Sequence, residues 1–238
     1  MSKSEVLVLG DIINPISDKK AMLYKNGALL LRIKKVEGKE ILIIKAIGPA
    51  QKLTKLTKGD VEVRDFTGQV IIPPFFDMHF HWVQDAVRTM PKANLLKWLE
   101  KYTFPAEAKF ADKNFAKKEA KKFFDRLVRC GTLGGACYSS IHAPALEYAM
   151  KYAHGDFVIG NVLMTINSPD YLTQTKSAAL KLVKRFSEKY KTKYALTPRF
   201  AIATDPETML ESGKIAKKDK SFIQSHLSET NHEIDFVL

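Results

Sequence analysis

The chain has 238 residues, a hydrophobic content of 45% and a formal net charge of +12. This length suits one large domain or two smaller ones with a sizeable core. No apolar run reaches membrane-spanning length and the N-terminus lacks the pattern of a secretory signal, so we expect a cytoplasmic protein with no membrane partner. The two cysteines are too few for a disulfide framework, and we expect both to be reduced.

The positive charge raises the question of nucleic-acid binding. The lysines, however, lie mainly in helix-forming segments such as 113–122 and 214–220, where they are mixed with acidic and apolar residues. A solvated helix face explains this distribution, and no recognised nucleic-acid motif accompanies the charge. We therefore do not expect a nucleic-acid partner, and a salt-dependent gel shift tests this expectation.

Residues 1–70 contain short β-rich runs that are separated by turn-forming residues. The runs are 6–9, 27–33 and 39–45, and the turns are predicted at 14–15, 37–38 and 58–60. This pattern predicts a small antiparallel β-rich module over residues 1–70.

Strand and helix candidates alternate through residues 71–238. The apolar run 70–76 predicts a buried strand at the start of this region. Later strands are predicted at 132–139, 157–165, 194–203 and 221–227, and helices at 93–102, 114–130, 143–152, 172–190 and 205–218. Alternation of this kind predicts an α/β fold with parallel strands and right-handed crossovers. The five strands are fewer than the eight of a closed (β/α) barrel.

Two histidines, His79 and His81, follow the apolar run 70–76 at a spacing of two. Side chains two apart on a strand point the same way, so both can bind one metal ion, although hydrogen-bonded core histidines fit the spacing as well. A third histidine, His226, lies at the end of the last predicted strand, with Glu229 three residues later. Neutral imidazoles suit zinc or iron, and a neighbouring carboxylate suits proton transfer.

Four segments of the chain, taken in order, resemble guanine deaminases of the amidohydrolase superfamily. They are His79-x-His81 with Gln84, then 95–107 (LLKWLEKYTFPAE), 196–200 (LTPRF) and 223–229 (IQSHLSE). The resemblance runs from about residue 65 to the end of the chain. It implies a TIM-like amidohydrolase barrel over 71–238, preceded by a module that forms part of a composite β-sandwich. It also implies hydrolysis of guanine to xanthine and ammonia in purine catabolism.

The resemblance implies a role for each candidate at the metal. His79, His81 and His226 would bind one zinc ion per subunit, with iron as the alternative, and Glu229 would be the catalytic acid/base. Binuclear relatives carry a lysine on the fourth strand that bridges two metals, and the segment 194–203 contains none. A site for a single ion is therefore expected.

The resemblance also implies a purine site. Gln84, Arg199, Phe200 and His226 would bind the substrate, because a rigid cationic donor suits a purine carbonyl and an amide can donate and accept at a ring edge. Without the resemblance, Arg199 would be interpreted as a surface or ion-pair residue, Phe200 as part of the core and Gln84 as solvated.

The sequence departs from the family in two ways. Pro74 stands where the family usually has glycine, and the segment 131–136 replaces a threonine-rich run. Family members also continue well beyond this length and supply a further histidine and an aspartate. We therefore expect an N-terminal half with little or no deaminase activity alone, either as a homodimer or associated with a separate C-terminal half.

Two alternatives to a guanine deaminase remain open. A related aminohydrolase or chlorohydrolase would act on another heterocycle with the same metal ligands, and a panel of nucleobases and triazines distinguishes it. The second alternative is a truncated, non-catalytic product. Guanine turnover by the zinc-loaded chain would contradict this alternative.

Overall fold

The computed structural model describes residues 4–36, 38–57, 60–91 and 94–238. The chain separates into two compact units, Met1–Pro73 and Pro74–Leu238, and this division lies close to the predicted one at 70/71. Within the described ranges, no helix has the length and apolar character needed to span a bilayer.

The described residues of the first unit form a four-stranded sheet and one short helix. Its elements are β1 (Glu5–Ser17), β2 (Lys20–Val36), β3 (Lys39–Pro49), α1 (Ala50–Thr54) and β4 (Val61–Ile71). The order in the sheet is β3-β2-β1-β4, with β1–β2 and β2–β3 antiparallel but β1–β4 parallel. The prediction of an antiparallel module was therefore wrong for β4, because the chain passes through α1 to the opposite edge of the sheet.

The turn predicted at 14–15 was also wrong. Asn14 and Pro15 lie inside β1, where they pair with Met22 and Ala21, and the register shifts just beyond Pro15. A proline is tolerated at such an irregularity near a strand end because no ladder hydrogen bond from its nitrogen is required. The turns predicted at 37–38 and 58–60 lie partly outside the described residues.

The prediction of one buried strand over 70–76 was wrong. β4 ends at Ile71, and the next strand begins only at Phe75. Pro73 and Pro74 lie between them, and prolines have no N–H to continue a ladder. The apolar run is also more than half exposed at Val70 and Phe75.

The second unit is built on a five-stranded parallel sheet with the strands in sequential order. The strands are β5 (Phe75–His81), β6 (Thr132–Ser139), β7 (Asp156–Leu163), β8 (Ala195–Pro198) and β9 (Phe222–Ile223). The helices are α2 (Leu95–Trp98), α3 (Phe104–Ala108), α4 (Lys113–Arg129), α5 (Ala143–Tyr152), α6 (Lys176–Tyr190), α7 (Pro206–Asp219) and α8 (Asn231–Val237). The α/β class is confirmed, and sequential parallel strands are the arrangement found along a (β/α) barrel wall.

The last two strands are much shorter than predicted. β8 ends at Pro198, and the following residues turn, with Ala203 N donating to Phe200 O at 3.1 Å. β9 has only two residues, so His226 stands three residues past its end. Arg199, Phe200 and His226 therefore lie on connections at the carboxyl edge of the sheet, the edge where α/β folds place their ligands.

The two strands at the start of this sheet approach each other very closely. Gly135 in β6 has a φ of +140°, and a Cβ built there would lie 1.7 Å from the carbonyl oxygen of Asp77 in β5. Only glycine permits this approach, which sets the position of the strand that carries His79 and His81.

Candidate active site

Three histidines converge at the carboxyl edge of the sheet. His79 and His81 end β5, and His226 comes from the connection after β9. One ligand nitrogen from each ring lies within 4.8 Å of the other two. The Nε2 atoms of His81 and His226 are 2.9 Å apart. The strand spacing thus brings the two early histidines together, and the fold adds the third.

Burial favours the neutral form of the inner histidines. It lowers the pKa of His81 well below its usual value, and the positive charge of Arg199 lowers it further. Burial also lowers the pKa of His226, against the opposing effect of its bond to the Arg199 carbonyl. Neutral imidazole is the form that binds a metal.

A backbone carbonyl fixes the tautomer of His226. Its Nδ1 lies 2.7 Å from the carbonyl oxygen of Arg199, an acceptor, so in the neutral ring Nδ1 carries the proton and Nε2 keeps its lone pair. This is the orientation commonly given to metal-binding histidines by their outer hydrogen bond.

The cluster fits a single divalent ion. Zinc–nitrogen distances of about 2.0–2.1 Å in a tetrahedral site place ligand nitrogens about 3.3 Å apart, within the range seen here. Nδ1 of His81, the ring nitrogen away from the His226 contact, is buried without a hydrogen-bond partner among the described residues. The three imidazoles therefore have both the chemistry and the spacing of a metal centre.

Tyr138, near the end of β6, packs against all three histidines. Its ring stacks on His81 with a centroid distance of 4.5 Å, and lies 4.8 Å from His79 and 4.6 Å from His226. Its hydroxyl donates to the carbonyl oxygen of Ser225 at 3.0 Å. No role for Tyr138 was predicted from the sequence, although an aromatic residue at the end of the second predicted strand was an available signal.

Beside the histidines lies a buried ion pair between Arg199 and Glu107. Nη1 of Arg199 donates to Oε2 of Glu107 at 2.7 Å, and Nη2 donates to Oε1 at 3.1 Å. Nε2 of Gln84 donates to the same Oε1 at 2.9 Å. Both charged side chains are almost fully buried, Arg199 at 3% and Glu107 at 1% exposure. Glu107 ends one of the segments that carry the family resemblance, but no role was predicted for it from the sequence.

Further contacts fix the plane of the Arg199 guanidinium. Its Cζ lies 5.3 Å from the centroid of the Phe104 ring, and Nη1 lies 3.4 Å from Sδ of Met164. Because α3 supplies both Phe104 and Glu107, one short helix holds Arg199 from two sides.

Glu229 lies on the exposed connection between β9 and α8. Its backbone N–H donates to Oε2 of the buried Glu233 at 2.8 Å, and the N–H of Ser228 donates to Oε1 at 3.2 Å. Glu233 in turn belongs to the first turn of α8, which Thr230 caps. The first turn of α8 thus fixes the backbone that presents Glu229.

All the residues predicted for the site line one cavity. Its volume is about 170 Å³, below the roughly 300–1,000 Å³ of pockets for drug-sized ligands, and therefore suited to a compact ligand. The lining residues are His79, His81, Gln84, Leu95, Trp98, Leu99, Arg199, Phe200, His226 and Glu229. Arg199 is at once an ion-pair residue and a cavity wall, and Phe200 is at once buried and a cavity wall. The individual roles assigned to these residues stay predictions.

A parallel sheet with a three-histidine centre at its carboxyl edge is typical of metal-dependent hydrolases. The model of the amidohydrolase family matches residues 70–237, and the chain belongs to this family.

The matched relatives include guanine deaminases, so the predicted resemblance to guanine deaminases is confirmed. Guanine deaminase from Dictyostelium discoideum is 37% identical over 186 residues, which cover 74% of this chain and 41% of that protein. Guanine deaminase from Escherichia coli is 31% identical over 185 residues, covering 74% of this chain and 42% of that protein. The chain thus spans about two fifths of the length of these relatives.

Solved structures of guanine deaminases also superpose on this chain. The chain superposes on E. coli guanine deaminase with a TM-score of 0.82 at 26% identity, covering 99% of this chain and 55% of that one. Guanine deaminase from C. acetobutylicum, solved with guanine bound in its active site, gives a TM-score of 0.80 at 29% identity. The superposition covers 98% of this chain and 55% of that one.

Proposed function

We propose that this chain carries the metal centre and the purine pocket for hydrolytic deamination of guanine. The observation that carries the proposal is the convergence of the three histidines beside Gln84, Arg199, Phe200 and Glu229 around one cavity. The named relatives, which are guanine deaminases, support the choice of substrate.

The cavity walls suit a flat heterocycle with a carbonyl group. Arg199 has N–H donors beyond those that its ion pair uses, and these suit the carbonyl oxygen of the purine. The Phe200 ring supplies an apolar wall, and Gln84 offers an amide to the ring edge. These side chains would orient the amino-bearing carbon toward the histidines.

The reaction adds water at the carbon that bears the amino group and breaks the carbon–nitrogen bond, so that ammonia leaves and a carbonyl forms. Glu229 would take a proton from the water and deliver it to the departing nitrogen. His79, His81 and His226 would hold one divalent ion, whose chemistry when bound is to acidify water at neutral pH. Zinc is the proposed ion, by resemblance to the family.

Binding measurements test the proposal. We expect the purified chain to hold one zinc ion, and the zinc-loaded chain to bind guanine at least 10-fold more tightly than adenine in a calorimetric panel of nucleobases and triazines. A chain that binds guanine no better than adenine would overturn the proposal. A clear preference for a triazine would instead support a hydrolase of another heterocycle.

Turnover is a separate measurement on the same samples. Conversion of guanine to xanthine by the 238-residue chain would support the function and contradict the prediction that this chain alone has little activity. The cytoplasmic location, the homodimer and the association with a separate C-terminal half also stay predictions.

A further inference from the structure

We propose that Glu107 is a positioning residue that fixes which atoms of Gln84 and Arg199 donate and accept hydrogen bonds in the cavity. The inference rests on the proposed function, since it assigns the selectivity of the same pocket. Glu107 does not line the cavity itself and would act through the two residues that do.

The geometry at Glu107 admits only one hydrogen-bonding arrangement. An ionised carboxylate can only accept, and this one accepts three hydrogen bonds, two from Arg199 and one from Gln84. The two parallel bonds from Arg199 are the bidentate pairing that fixes a guanidinium in direction as well as in position. With 1% exposure, the carboxylate of Glu107 has almost no access to water as a substitute partner.

This arrangement determines how the Gln84 amide is turned. The nitrogen must face Glu107, because the amide oxygen in that place would put two acceptors against each other. Oε1 of Gln84 accepts no hydrogen bond from any residue that the structure describes. On a cavity-lining side chain it is therefore an acceptor for a donor on the ligand.

Glu107 places that acceptor beside the donors of Arg199. A neighbouring acceptor and donor complement a lactam edge, in which a ring N–H stands next to a carbonyl oxygen, as in guanine. Adenine presents the opposite order, a ring nitrogen acceptor beside an amino donor. A site built around such a pattern rejects the mismatched ligand strongly, because its own buried polar groups are left unpaired.

The variant Glu107→Gln tests whether Glu107 fixes which atom of the Gln84 amide faces the cavity. The new amide has the same shape but brings a donor, so Gln84 can turn its oxygen toward residue 107 and its nitrogen toward the cavity. We expect the preference for guanine over adenine to fall at least 10-fold, with zinc content unchanged. Glu107→Asp keeps a carboxylate, and we expect it to keep the preference even if both purines bind more weakly.

The matched control is Glu100→Gln, which makes the same chemical change on an exposed glutamate of the neighbouring helical turn. We expect it to leave both affinities within 2-fold of the original. The double variant Glu107→Gln with Gln84→Glu returns an acceptor to position 84, and we expect it to recover part of the guanine preference. If Glu107→Gln does not fold, the Asp and double variants carry the test.

A second readout separates this inference from the proposed function. Side-chain NMR signals of the Gln84 amide and the Arg199 guanidinium report their hydrogen bonds without any ligand, and we expect both to shift in Glu107→Gln but not in Glu100→Gln. Guanine that does not bind to the original chain would refute the proposed function and leave the NMR comparison to decide the inference. Unchanged NMR signals, or an unchanged preference in a chain that binds guanine, would overturn the inference.

Discussion

The two units of the chain bury different kinds of side chain. Among the described residues of the first unit, the only buried polar or charged side chain is that of Glu5, which pairs with Lys45 at 2.7 Å. The second unit buries Arg199, Glu107, Glu233 and a series of hydroxyl and amide groups. Buried polar groups cost free energy unless they are paired. The second unit therefore accepts this cost, in part at the Arg199–Glu107 pair beside the cavity, whereas the first is mainly an apolar-cored sheet.

The largest expected effect is the loss of the buried ion pair. Glu107→Ala leaves the Arg199 charge buried and unpaired, so we expect the free energy of unfolding to fall by about 3–5 kcal/mol. Glu5→Ala in the first unit should cost less, about 1–2 kcal/mol, because Lys45 is one-third exposed and can be hydrated. Denaturant unfolding followed by far-UV circular dichroism measures both, and equal losses would contradict the contrast between the units.

The next largest effect on the free energy of unfolding is expected where β5 and β6 approach closely. Gly135→Ala places a Cβ against the Asp77 carbonyl, and we expect a loss of about 3 kcal/mol from overlap and an unfavourable φ. Gly48→Ala is the control in the first unit, because a Cβ there meets nothing within 4 Å. Its effect should stay within about 0.5 kcal/mol. Thermal unfolding that ranks the two variants in the reverse order would refute the packing argument.

Substitution of a predicted metal ligand tests the metal site independently of the fold. We expect His81→Ala to weaken zinc binding by at least about 100-fold, since outer-shell changes alone cost about 10–100-fold. The exposed His154 serves as the control, and His154→Ala should bind zinc like the original chain. Zinc titration against a competing chelator gives the affinities, and zinc binding that survives in His81→Ala would exclude this residue as a ligand.

The smallest effect concerns the start of α7, which Asp205 caps. Burial favours the protonated form of Asp205, but hydrogen bonds from Thr165 and Thr208 outweigh it and lower the pKa to about 2. Asp205→Ala should cost about 0.5–2 kcal/mol near neutral pH.

A depressed pKa stabilises the fold above the unfolded value of about 3.9, and this contribution is lost as the pH falls through the folded value. The difference between the original chain and Asp205→Ala should therefore shrink as the pH falls from 5 to 2. Thr175→Ala removes the cap of α6 without a titrating group, so its cost should not follow the same pH dependence. Parallel pH trends for the two variants would contradict the assignment to Asp205.

Periodicity predicted the regular elements of the second unit well. The structure reproduces the strand at 132–139 and the helix at 143–152, because amphipathic patterns and short connections determine such βα units locally. The strands at 194–203 and 221–227 were predicted too long. Past β8, the apolar residues Phe200, Ile202 and Ala203 are buried in a connection rather than in a strand, and a buried loop can have the same composition as a buried strand.

The candidate site could be predicted only in part. The histidine spacing, with the resemblance, identified the three imidazoles that converge in space. The role of Glu107 was not predicted from the sequence, because an acidic residue in a short amphipathic segment normally faces solvent. Its partner Arg199 lies 92 positions away, so no local pattern could reveal the ion pair.

The placement of Glu107 on α3 has an evolutionary consequence. The imidazoles stand on or just past strands β5 and β9, whereas Glu107, the proposed positioning residue for Gln84 and Arg199, comes from the connection between β5 and β6. In the proposed scheme, the predicted metal ligands and the residue that orients Gln84 and Arg199 lie on different stretches of polypeptide. Under that proposal, mutation in one short helix would change which heterocycle is accepted while the strands that bear the imidazoles keep their sequence.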